Sequence, residues 1–483
     1  MAKKNKIYSD IVIIGAGLLG CMAARTFAKY DLDICVLEKR EDVSTGMSKA
    51  NLGIVYAGYD MKPGSLKSEL TVKANQTLEK TCGELDVPFL RPGSLMVSYG
   101  PKGDESLKKK YEDGLKNNVP GLKLISGADA EKLEPNIKKG VTSALFAETT
   151  GLVFPFSLCI AAYENAKDNG VDFRFNEEVI DIQYLNDDIS NNSINRIEVV
   201  TNEYIYHAKV VINCAGVFSD KVREMCNVAS IRNELSHADY LVYDEGAASQ
   251  INHVIFNESE DKSNKFEIVP TLYTNIIVGA TKMPWDGSYC ESTSNDGVMS
   301  LLDFTKDMLP FLNQNLLVNE FGGLRNDAID IRNMNKRISD LCVLDDRGLI
   351  SLIGVKTPGM TISEELAKYV FEIAKNYLGE VKNNSNFNPI RKAYTFVLNP
   401  AEYDPEVHGE LICKCNYVFE ATIREAIRSG ATTVNGVRRR TGACMGRCAG
   451  SYCENRVIEL IADELNINKE DVTRDGIGSE IIF

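Results

Sequence analysis

Five of the thirteen cysteines lie between Cys413 and Cys453, where their spacing could hold a metal centre. Cys413 and Cys415 form a C-x-C pair, and Cys448 and Cys453 form a C-x-x-x-x-C pair beyond a long helical spacer. Four thiolates from two loops provide two ligands for each iron of a [2Fe–2S] cluster. Zinc is the main competing metal because it also binds four thiolates, and a site without metal is the remaining alternative.

A glycine-rich turn near the start of the chain has the chemistry of a dinucleotide-binding site. The apolar run Asp10–Ile14 leads into G-x-G-x-x-G and then into a helix-compatible segment. The first glycine permits the tight turn, the second lets a pyrophosphate approach the backbone, and the third lets helix and strand pack closely. The helix N-terminus offers free N–H groups to the phosphates, and an acid at the end of the next strand can accept the ribose hydroxyls. The residues predicted to bind an ADP-containing dinucleotide are Gly15, Gly17, Leu18, Leu19, Gly20, Glu38 and Lys39.

Composition narrows the class of protein. The 483 residues are 44% hydrophobic and 25% charged, which is typical of a globular chain with two or three domains. The net charge of −14 makes nucleic acid and anionic membrane poor partners for the molecule as a whole. We find no segment long enough to span a bilayer, and the apolar run near the N-terminus is too short for a signal peptide. We therefore expect a cytoplasmic protein, with peripheral membrane contact still possible.

The order of several segments resembles one superfamily of flavoproteins. After GAGLLG and Glu38 come KANLGIVYAGYD and PGSLK, a stretch that is small, polar and punctuated by glycine. This order resembles the FAD-binding start of the D-amino-acid-oxidase-like superfamily. It is most similar to the branch that contains the glycerol-3-phosphate and L-2-hydroxyglutarate dehydrogenases. The resemblance implies FAD as the cofactor.

The resemblance also implies a second group of FAD-binding residues. A buried strand that stops at Ala215 and Gly216 resembles the strand whose backbone lies near the pyrophosphate. The segment 349–361 resembles the one that crosses the isoalloxazine ring, where backbone N–H groups and a helix dipole hold negative charge near flavin N1 and O2. The residues in this group are Ser48, Asn51, Ala215, Gly216, Gly354, Gly359, Met360 and Thr361.

The implied fold class is α/β (α+β), with a Rossmann-like FAD lobe, an interleaved antiparallel-sheet substrate lobe and a small helical iron–sulfur domain. We expect the oxidoreductase to occupy residues 1–400. Within it, the FAD lobe takes about 1–85, 150–225 and 335–400, and the substrate lobe takes about 86–149 and 226–334. Residues 401–483 are expected to form the [2Fe–2S] ferredoxin-like domain.

The resemblance places five residues at the catalytic site. Arg325 matches an arginine above the substrate pocket, although a lone arginine is more commonly a surface ion pair. Tyr56 and Tyr273 stand where related motifs carry histidine, and both could bind substrate or orient a water, although an unperturbed tyrosine is a poor base. His237 is expected on a strand that faces the flavin, and the alternative is a strand-edge histidine without a catalytic role. Lys356 resembles a phosphate-binding lysine by local spacing.

The C-terminal cysteines resemble those of the ferredoxin-like domain of bacterioferritin-associated ferredoxin, which also ends some anaerobic glycerol-3-phosphate dehydrogenases. This resemblance assigns Cys413, Cys415, Cys448 and Cys453 as ligands of the cluster. Cys444 stands where the related motif has glycine, so it is a spare thiol or an alternative ligand. Four nearby arginines are expected to offset the charge of the thiolates or to form a docking patch for a partner: Arg438, Arg439, Arg440 and Arg447.

Two absences point away from other flavoenzymes. We find no second G-x-G-x-x-G for NAD(P)H, and Cys82 has no partner cysteine at the close spacing that disulfide reductases need.

Three functions remain. The first is a dehydrogenase for a small anionic substrate, glycerol 3-phosphate or a 2-hydroxy acid, which sends electrons through the cluster to an external acceptor or partner redox subunit. The others are an amine or amino-acid dehydrogenase subunit and a non-catalytic electron-transfer subunit.

Overall fold

The computed structural model describes residues 4–185, 196–228, 230–259, 265–272, 274–287, 292–391 and 403–481. In chain order the strands are β1 Lys6–Ile14, β2 Ile34–Leu37, β3 Ile54–Val55, β4 Phe89–Leu90, β5 Ser94–Ser98, β6 Leu122–Ser126, β7 Ser143–Ala147, β8 Gly151–Val153, β9 Asp172–Arg174, β10 Val179–Leu185, β11 Arg196–Thr201, β12 Ile205–Asn213, β13 Ile231–Tyr243, β14 Val254–Asn257, β15 Glu267–Pro270, β16 Ile276–Gly279, β17 Met283–Pro284, β18 Leu317–Asp330, β19 Lys336–Arg337, β20 Cys342–Asp346, β21 Leu349–Ile353, β22 Leu411–Cys413 and β23 Val418–Phe419.

The helices are α1 Leu18–Phe27, α2 Leu66–Glu84, α3 Pro101–Lys116, α4 Gly127–Leu133, α5 Pro155–Asp168, α6 Ser219–Met225, α7 Asn295–Met308, α8 Ser363–Leu378, α9 Pro405–His408, α10 Glu420–Arg428, α11 Val434–Thr441 and α12 Glu454–Leu465. None of the helices in the described ranges is both long enough and apolar enough to cross a membrane.

The first sheet has the strand order β10-β11-β12-β1-β2-β9, and β21 and β20 continue it beside β12. The central pairs β1–β12, β1–β2, β2–β9 and β12–β21 are parallel. These strands are almost wholly apolar because helices α1, α5 and α8 cover one face. The carboxyl ends of parallel strands meet at one edge, where doubly wound folds bind their ligands.

The second sheet has the order β19-β18-β13-β16-β15-β14-β5-β7-β6, and β17 pairs with β13. Its pairs are antiparallel except for β5 with β14. Successive side chains point to opposite faces, so each strand contributes to two environments. Leu241, Ile268 and Val278 pack against Leu301 of α7, whereas Val269 belongs to a separate apolar cluster on the opposite face. That opposite face also carries Tyr240 and Glu267, which line one cavity together with the ends of β1 and β2.

The C-terminal domain combines the short hairpin β22–β23 with helices α10, α11 and α12. Its core includes Ile423, Val437, Val457 and Ile461, none of which is exposed. The strands and helices thus confirm the predicted fold class of two interleaved lobes and a small helical domain. The predicted division at 400/401 falls within residues 392–402, which lie outside the described residues.

A buried ion pair joins the C-terminal domain to the first lobe. Arg440 donates two hydrogen bonds to Asp42, at 2.7 and 2.8 Å, and Arg439 donates a third at 3.2 Å. Asp42 and the Arg440 side chain are essentially unexposed. Desolvation raises the pKa of Asp42, but the two guanidinium groups outweigh it and hold this pKa below its usual value. Two of the four arginines expected to face the cluster or a partner, Arg439 and Arg440, therefore dock the domain onto the FAD lobe.

We predict that Asp42→Asn lowers the free energy of unfolding by about 3–5 kcal/mol, because it removes the carboxylate that makes the shortest ion pairs with two buried guanidinium groups. The double variant Asp42→Leu/Arg440→Met removes the closest ion pair and leaves Arg439 paired with Asp475, so it should recover part of that loss. Urea denaturation of the holoprotein measures both variants. Since the pKa of Asp42 is lowered, its contribution is present above about pH 4 and is lost on further acidification. An Asp42→Asn variant as stable as wild type at pH 7 would contradict this role.

Candidate functional site

A cavity of about 430 Å³ extends from the carboxyl ends of β1 and β2 to the inner face of the second sheet. Most of the residues predicted to bind FAD line it, namely Gly15, Gly17, Leu18, Leu19, Glu38, Lys39, Ser48, Asn51, Ala215, Gly216, Gly359 and Met360. Gly20, Gly354 and Thr361 are not among its lining residues.

The glycine turn at one end of the cavity needs its glycines for close packing. A Cβ on Gly15, whose φ is +99°, would lie 2.7 Å from the Cys214 carbonyl oxygen. A Cβ on Gly20 would lie 1.9 Å from the Gly15 carbonyl oxygen, so Gly20 positions α1 rather than touching a ligand. Gly17 differs, because its Cβ would meet only Ser48 Oγ, at 3.2 Å. The α1 N-terminus, where the Leu18 N–H donates to Ser48 Oγ at 2.8 Å, therefore borders open space that fits a pyrophosphate.

Glu38 lies at the end of β2 with both carboxylate oxygens oriented by the backbone. Its Oε2 accepts a hydrogen bond from the Ala16 N–H at 2.8 Å, and its Oε1 accepts one from the Arg40 N–H at 3.0 Å. Burial raises the pKa of Glu38, and these two N–H groups counteract part of the shift. Each oxygen keeps a further lone pair, so the carboxylate can still accept the ribose hydroxyls of the nucleotide.

The third predicted segment contributes both lining and supporting residues. Gly359 and Met360 face the cavity, whereas Gly354 lies against Ala328, whose nitrogen would be 2.4 Å from an added Cβ. Thr361 Oγ1 accepts a hydrogen bond from the Tyr56 N–H and donates one to the Ile54 carbonyl oxygen. Thr361 therefore connects the segment before α8 to β3 and to Tyr56, which follows that strand. The three segments together fit FAD.

The other end of the cavity contains three of the predicted catalytic residues. Arg325, Tyr56 and Lys356 all line it. Arg325 is held by a hydrogen bond from its guanidinium to Thr357 Oγ1 at 3.1 Å. A guanidinium in a cavity wall can bind a carboxylate or phosphate group through two hydrogen bonds. Tyr273 lies outside the described residues.

His237 does not line the cavity because it lies on the wrong face of β13. The pairing of β13 with β18 places Ser236 opposite Arg325 and Tyr240 opposite Phe321 on the cavity side. Because successive side chains of a strand point to alternate faces, His237 and Asp239 lie on the face away from the cavity. Asp239 accepts hydrogen bonds from the backbone N–H and the hydroxyl of Ser294, the N-cap of α7. The strand faces the flavin site as expected, but its histidine points towards α7.

Lys356 lines the cavity but is not a free cation. Its ammonium group pairs with Asp327, which also pairs with Arg337. Desolvation lowers the pKa of Lys356 to about 8. Desolvation alone would raise the pKa of Asp327, but the two cations lower it to about 2. Much of the lysine charge is therefore balanced before a substrate binds.

Sequence reasoning missed two residues at this end of the cavity, Tyr240 and Glu267. The Tyr240 hydroxyl donates to the Ala50 carbonyl oxygen at 3.2 Å, and its ring stacks on Phe321 at 4.6 Å between centroids. Glu267 is half-buried, and its Oε2 accepts from the Ala280 N–H at 3.0 Å. The only sequence signal was an acidic residue between buried Phe266 and Ile268, a pattern that equally describes a solvent-facing strand position.

The four predicted cluster ligands come together from two loops. Cys413 ends β22, Cys415 follows it, Cys448 lies in the second loop and Cys453 caps α12. Cys413 contacts Cys453, and Cys415 contacts Cys448. The loops approach so closely that a Cβ on Gly446 would lie 2.3 Å from that of Cys415. These four thiols fit a [2Fe–2S] cluster.

The environment of the sulfurs differs from one cysteine to another. Desolvation raises the pKa of Cys448, but the backbone N–H groups of Gly450 and Tyr452 help to hold it below its usual value. Burial raises the pKa of Cys444, whose sulfur lies 3.5 Å from that of Cys453. In the described residues, no three His, Cys, Asp or Glu side chains converge as ligands of a single metal ion.

We predict that Gly17→Val yields a folded protein that loses FAD. The Gly17 φ of −72° suits valine, so the added side chain occupies the phosphate-binding space without straining the backbone. The FAD content of the purified protein and its melting curve measure the two effects separately. Gly83→Ala is the matched control, because its Cβ meets nothing within 4 Å and the residue lies in α2, away from the cavity. Normal FAD content in Gly17→Val would refute the assignment.

We predict that Cys448→Ser abolishes the cluster, while Cys444→Gly retains it. Cys444 has a φ of +64°, a conformation that glycine adopts without strain, so its replacement should not disturb the loop. The measurements are iron and sulfide content and visible absorption of anaerobically purified protein. Loss of the cluster in Cys444→Gly with retention in Cys448→Ser would make Cys444 the ligand instead.

Comparison with known proteins identifies related chains. The glycerol 3-phosphate dehydrogenase of Caloramator mitchellensis is 32% identical over 485 residues, which cover 98% of each chain. The mitochondrial L-2-hydroxyglutarate dehydrogenase of Pongo abelii is 31% identical over 242 residues, 48% of this chain and 57% of that protein. The dithionite-reduced L-alpha-glycerophosphate oxidase of Mycoplasma pneumoniae with FAD bound has a TM-score of 0.71 at 22% identity. The alignment covers 80% of this chain and 98% of that chain, and shows a shared fold.

Two family matches cover the chain. The family described as FAD dependent oxidoreductase matches residues 10–373, and the BFD-like [2Fe-2S] binding domain matches residues 411–463. The predictions of FAD and of a [2Fe–2S] cluster, in place of zinc, are confirmed. The chain belongs to the FAD dependent oxidoreductase family and carries a C-terminal BFD-like [2Fe–2S] binding domain.

Proposed function

We propose that the protein is a dehydrogenase that oxidises a small anionic alcohol, glycerol 3-phosphate or a 2-hydroxy acid. Its electrons leave through the [2Fe–2S] cluster to an external acceptor. The observation that carries the proposal is Arg325 in the wall of the cavity that fits FAD. The relatives support the same substrates, because one named glycerol 3-phosphate dehydrogenase matches along both domains.

Some residues at this end of the cavity would bind the substrate, and others orient the groups that bind it. FAD, when bound, would supply the two-electron redox chemistry for the oxidation of the substrate carbon. Arg325 binds the anionic group, and its hydrogen bond to Thr357 fixes the direction of the guanidinium. Lys356 adds a weaker positive charge, because Asp327 shares its ammonium group. Tyr56 and Tyr240 supply polar hydroxyls and aromatic walls at the same end.

An amino acid is the second candidate substrate, and one arrangement favours it. Glu267 and Arg325 line the same end of the cavity. A carboxylate and a guanidinium in one small site complement the ammonium and carboxylate groups of an amino acid. The substrate panel below includes amino acids for this reason.

The proposed exit for electrons lies on the outer side of the C-terminal domain. Cys413 and Cys453 are buried, whereas Cys415 and Cys448 are partly exposed. Tyr417, Met445 and Tyr452, near the exposed cysteines in sequence, have exposed side chains. An acceptor could therefore approach the cluster from the side of Cys415 and Cys448 without entering the FAD cavity.

We predict that glycerol 3-phosphate or a 2-hydroxy acid bleaches both the flavin and the cluster in an anaerobic absorption titration. The panel contains glycerol 3-phosphate, L-2-hydroxyglutarate, lactate, amino acids and amines. Glycerol is the matched control for glycerol 3-phosphate, because it lacks the anion that Arg325 is proposed to bind. We expect it to leave both centres oxidised.

Other outcomes of the titration would contradict the proposal. Bleaching by an amino acid alone would replace it with the second candidate. Bleaching of both centres by dithionite, but by no member of the panel, would make the chain an electron-transfer subunit. Bleaching of the flavin without the cluster would contradict the electron route and leave the substrate assignment standing.

A further inference from the structure

Oxidation of an alcohol to a ketone requires a proton acceptor that the predicted catalytic residues do not supply. The carbon loses a hydride, and the hydroxyl loses a proton that must pass to a base. Among the residues that line this end of the cavity, Arg325 is a permanent cation and Lys356 is paired with Asp327. Burial raises the pKa of Tyr240 to about 12 and raises that of Tyr56 well above its usual value. Arg325 and the two tyrosines are therefore poor bases at neutral pH, and Lys356, whose pKa is lowered to about 8, is mainly protonated at pH 7.

Glu267 is the remaining titratable residue at this end of the described cavity wall. It pairs with Gly279 across β15 and β16, which places its side chain on the same face as Tyr240 and Arg325. Gly279 lets the Tyr240 ring pack against this strand, because a Cβ at this position would lie 2.4 Å from the ring. Glu267 and the Tyr240 ring therefore line the same end of the cavity.

The two carboxylate oxygens of Glu267 have different roles. Oε2 accepts the Ala280 N–H, which fixes the orientation of the group. No other residue in the described part of the chain donates a hydrogen bond to Oε1, and the backbone N–H of Glu267 itself also contacts the carboxylate. A fixed carboxylate whose Oε1 accepts no hydrogen bond from another described residue, in a cavity with a guanidinium for the substrate anion, has the geometry of a general base.

We propose that Glu267 is the catalytic base that accepts the hydroxyl proton of the substrate, a role that rests on the proposed alcohol oxidation. The substrate O–H bond breaks and its proton moves to Glu267 Oε1, while the C–H bond breaks and its electron pair leaves as hydride to FAD. The C–O single bond becomes a carbonyl. Glu267 then releases the proton to solvent, so one hydride and one proton leave each substrate molecule.

The charges around Glu267 are consistent with a base that works near neutral pH. Burial raises its pKa to about 7, and Arg325 and the Ala280 N–H limit the rise. Asp60, and Tyr56 and Tyr240 if ionised, are the other groups that interact with it. Because the ionised carboxylate is the active form, the rate of flavin reduction should rise with pH through about 7 and then level off.

The test compares Glu267→Gln with wild type by anaerobic stopped-flow reduction of the flavin, using the substrate identified by the titration. Glutamine can still accept the Ala280 N–H but cannot take a proton. We expect reduction to slow by about 100- to 10,000-fold, with loss of the rise around pH 7. Binding of the ketone product, followed by the flavin spectrum, should change little because Arg325 remains. Glu267→Asp keeps the carboxylate and should restore part of the rate together with the pH dependence.

Glu320→Gln is the matched control, since this exposed glutamate lies on the same sheet and does not line the cavity. The flavin of Glu320→Gln should be reduced at the wild-type rate. If the rate of flavin reduction in Glu267→Gln stays within a few-fold of the wild-type rate, with an unchanged pH profile, the role of Glu267 is overturned while the proposed function stands. Weaker product binding or lost FAD in both Glu267 variants would show a structural role instead. If no alcohol reduces wild-type flavin, the proposed function fails first and this role fails with it.

Discussion

The close approach of three backbone segments at the glycine turn is the constraint on which the rest of the molecule depends. Gly20 lets α1 pack onto the start of its own turn, and Gly15 lets that turn lie against the end of β12. Both contacts are too short for any Cβ, so the space beside Gly17 is created by packing that excludes side chains. The N-terminus of α1, the end of β2 and the Ala215–Gly216 turn consequently face one cavity, which only a long ligand such as FAD could span.

Charge balance determines what the far end of that cavity can do. Asp327 engages Lys356 and Arg337, so two of the cations are already compensated within the protein. Arg325 hydrogen-bonds to the neutral Thr357 and interacts with Glu267 at longer range. A substrate anion that neutralises Arg325 would remove a charge that favours the ionised form of Glu267. Substrate binding would thereby make the carboxylate a stronger base, so anion recognition and proton transfer would be electrostatically coupled.

The sequence was sufficient where local chemistry decides the structure. Gly15, Gly17 and Glu38 could be identified because a strand, a glycine turn and a terminal acid lie within thirty residues. The positions of His237 and Glu267 depend instead on strand parity and sheet order, and a shift of one residue exchanges the two faces. The β13–β18 register places Tyr240 in the cavity and His237 beside α7. Likewise, nothing local to Arg440 indicates that its partner is Asp42, nearly 400 residues earlier.

The end of β2 holds both the cofactor and the cluster domain, and this shared support bears on electron transfer. Glu38 faces the FAD cavity, and Asp42, four residues later, anchors Arg440 of the helix that precedes the cluster loop. A domain that moves on a flexible linker needs an interface that opens easily. Separating Asp42 from Arg440 would instead expose two buried charges to solvent or leave them buried without each other. The cluster is therefore held in a fixed position beside the FAD lobe. Its buried ligands Cys413 and Cys453 and its partly exposed ligands Cys415 and Cys448 give it an inner and an outer side. Under the proposed electron route, an external acceptor would approach the side of Cys415 and Cys448, while Cys413 and Cys453 lie in the core of the C-terminal domain.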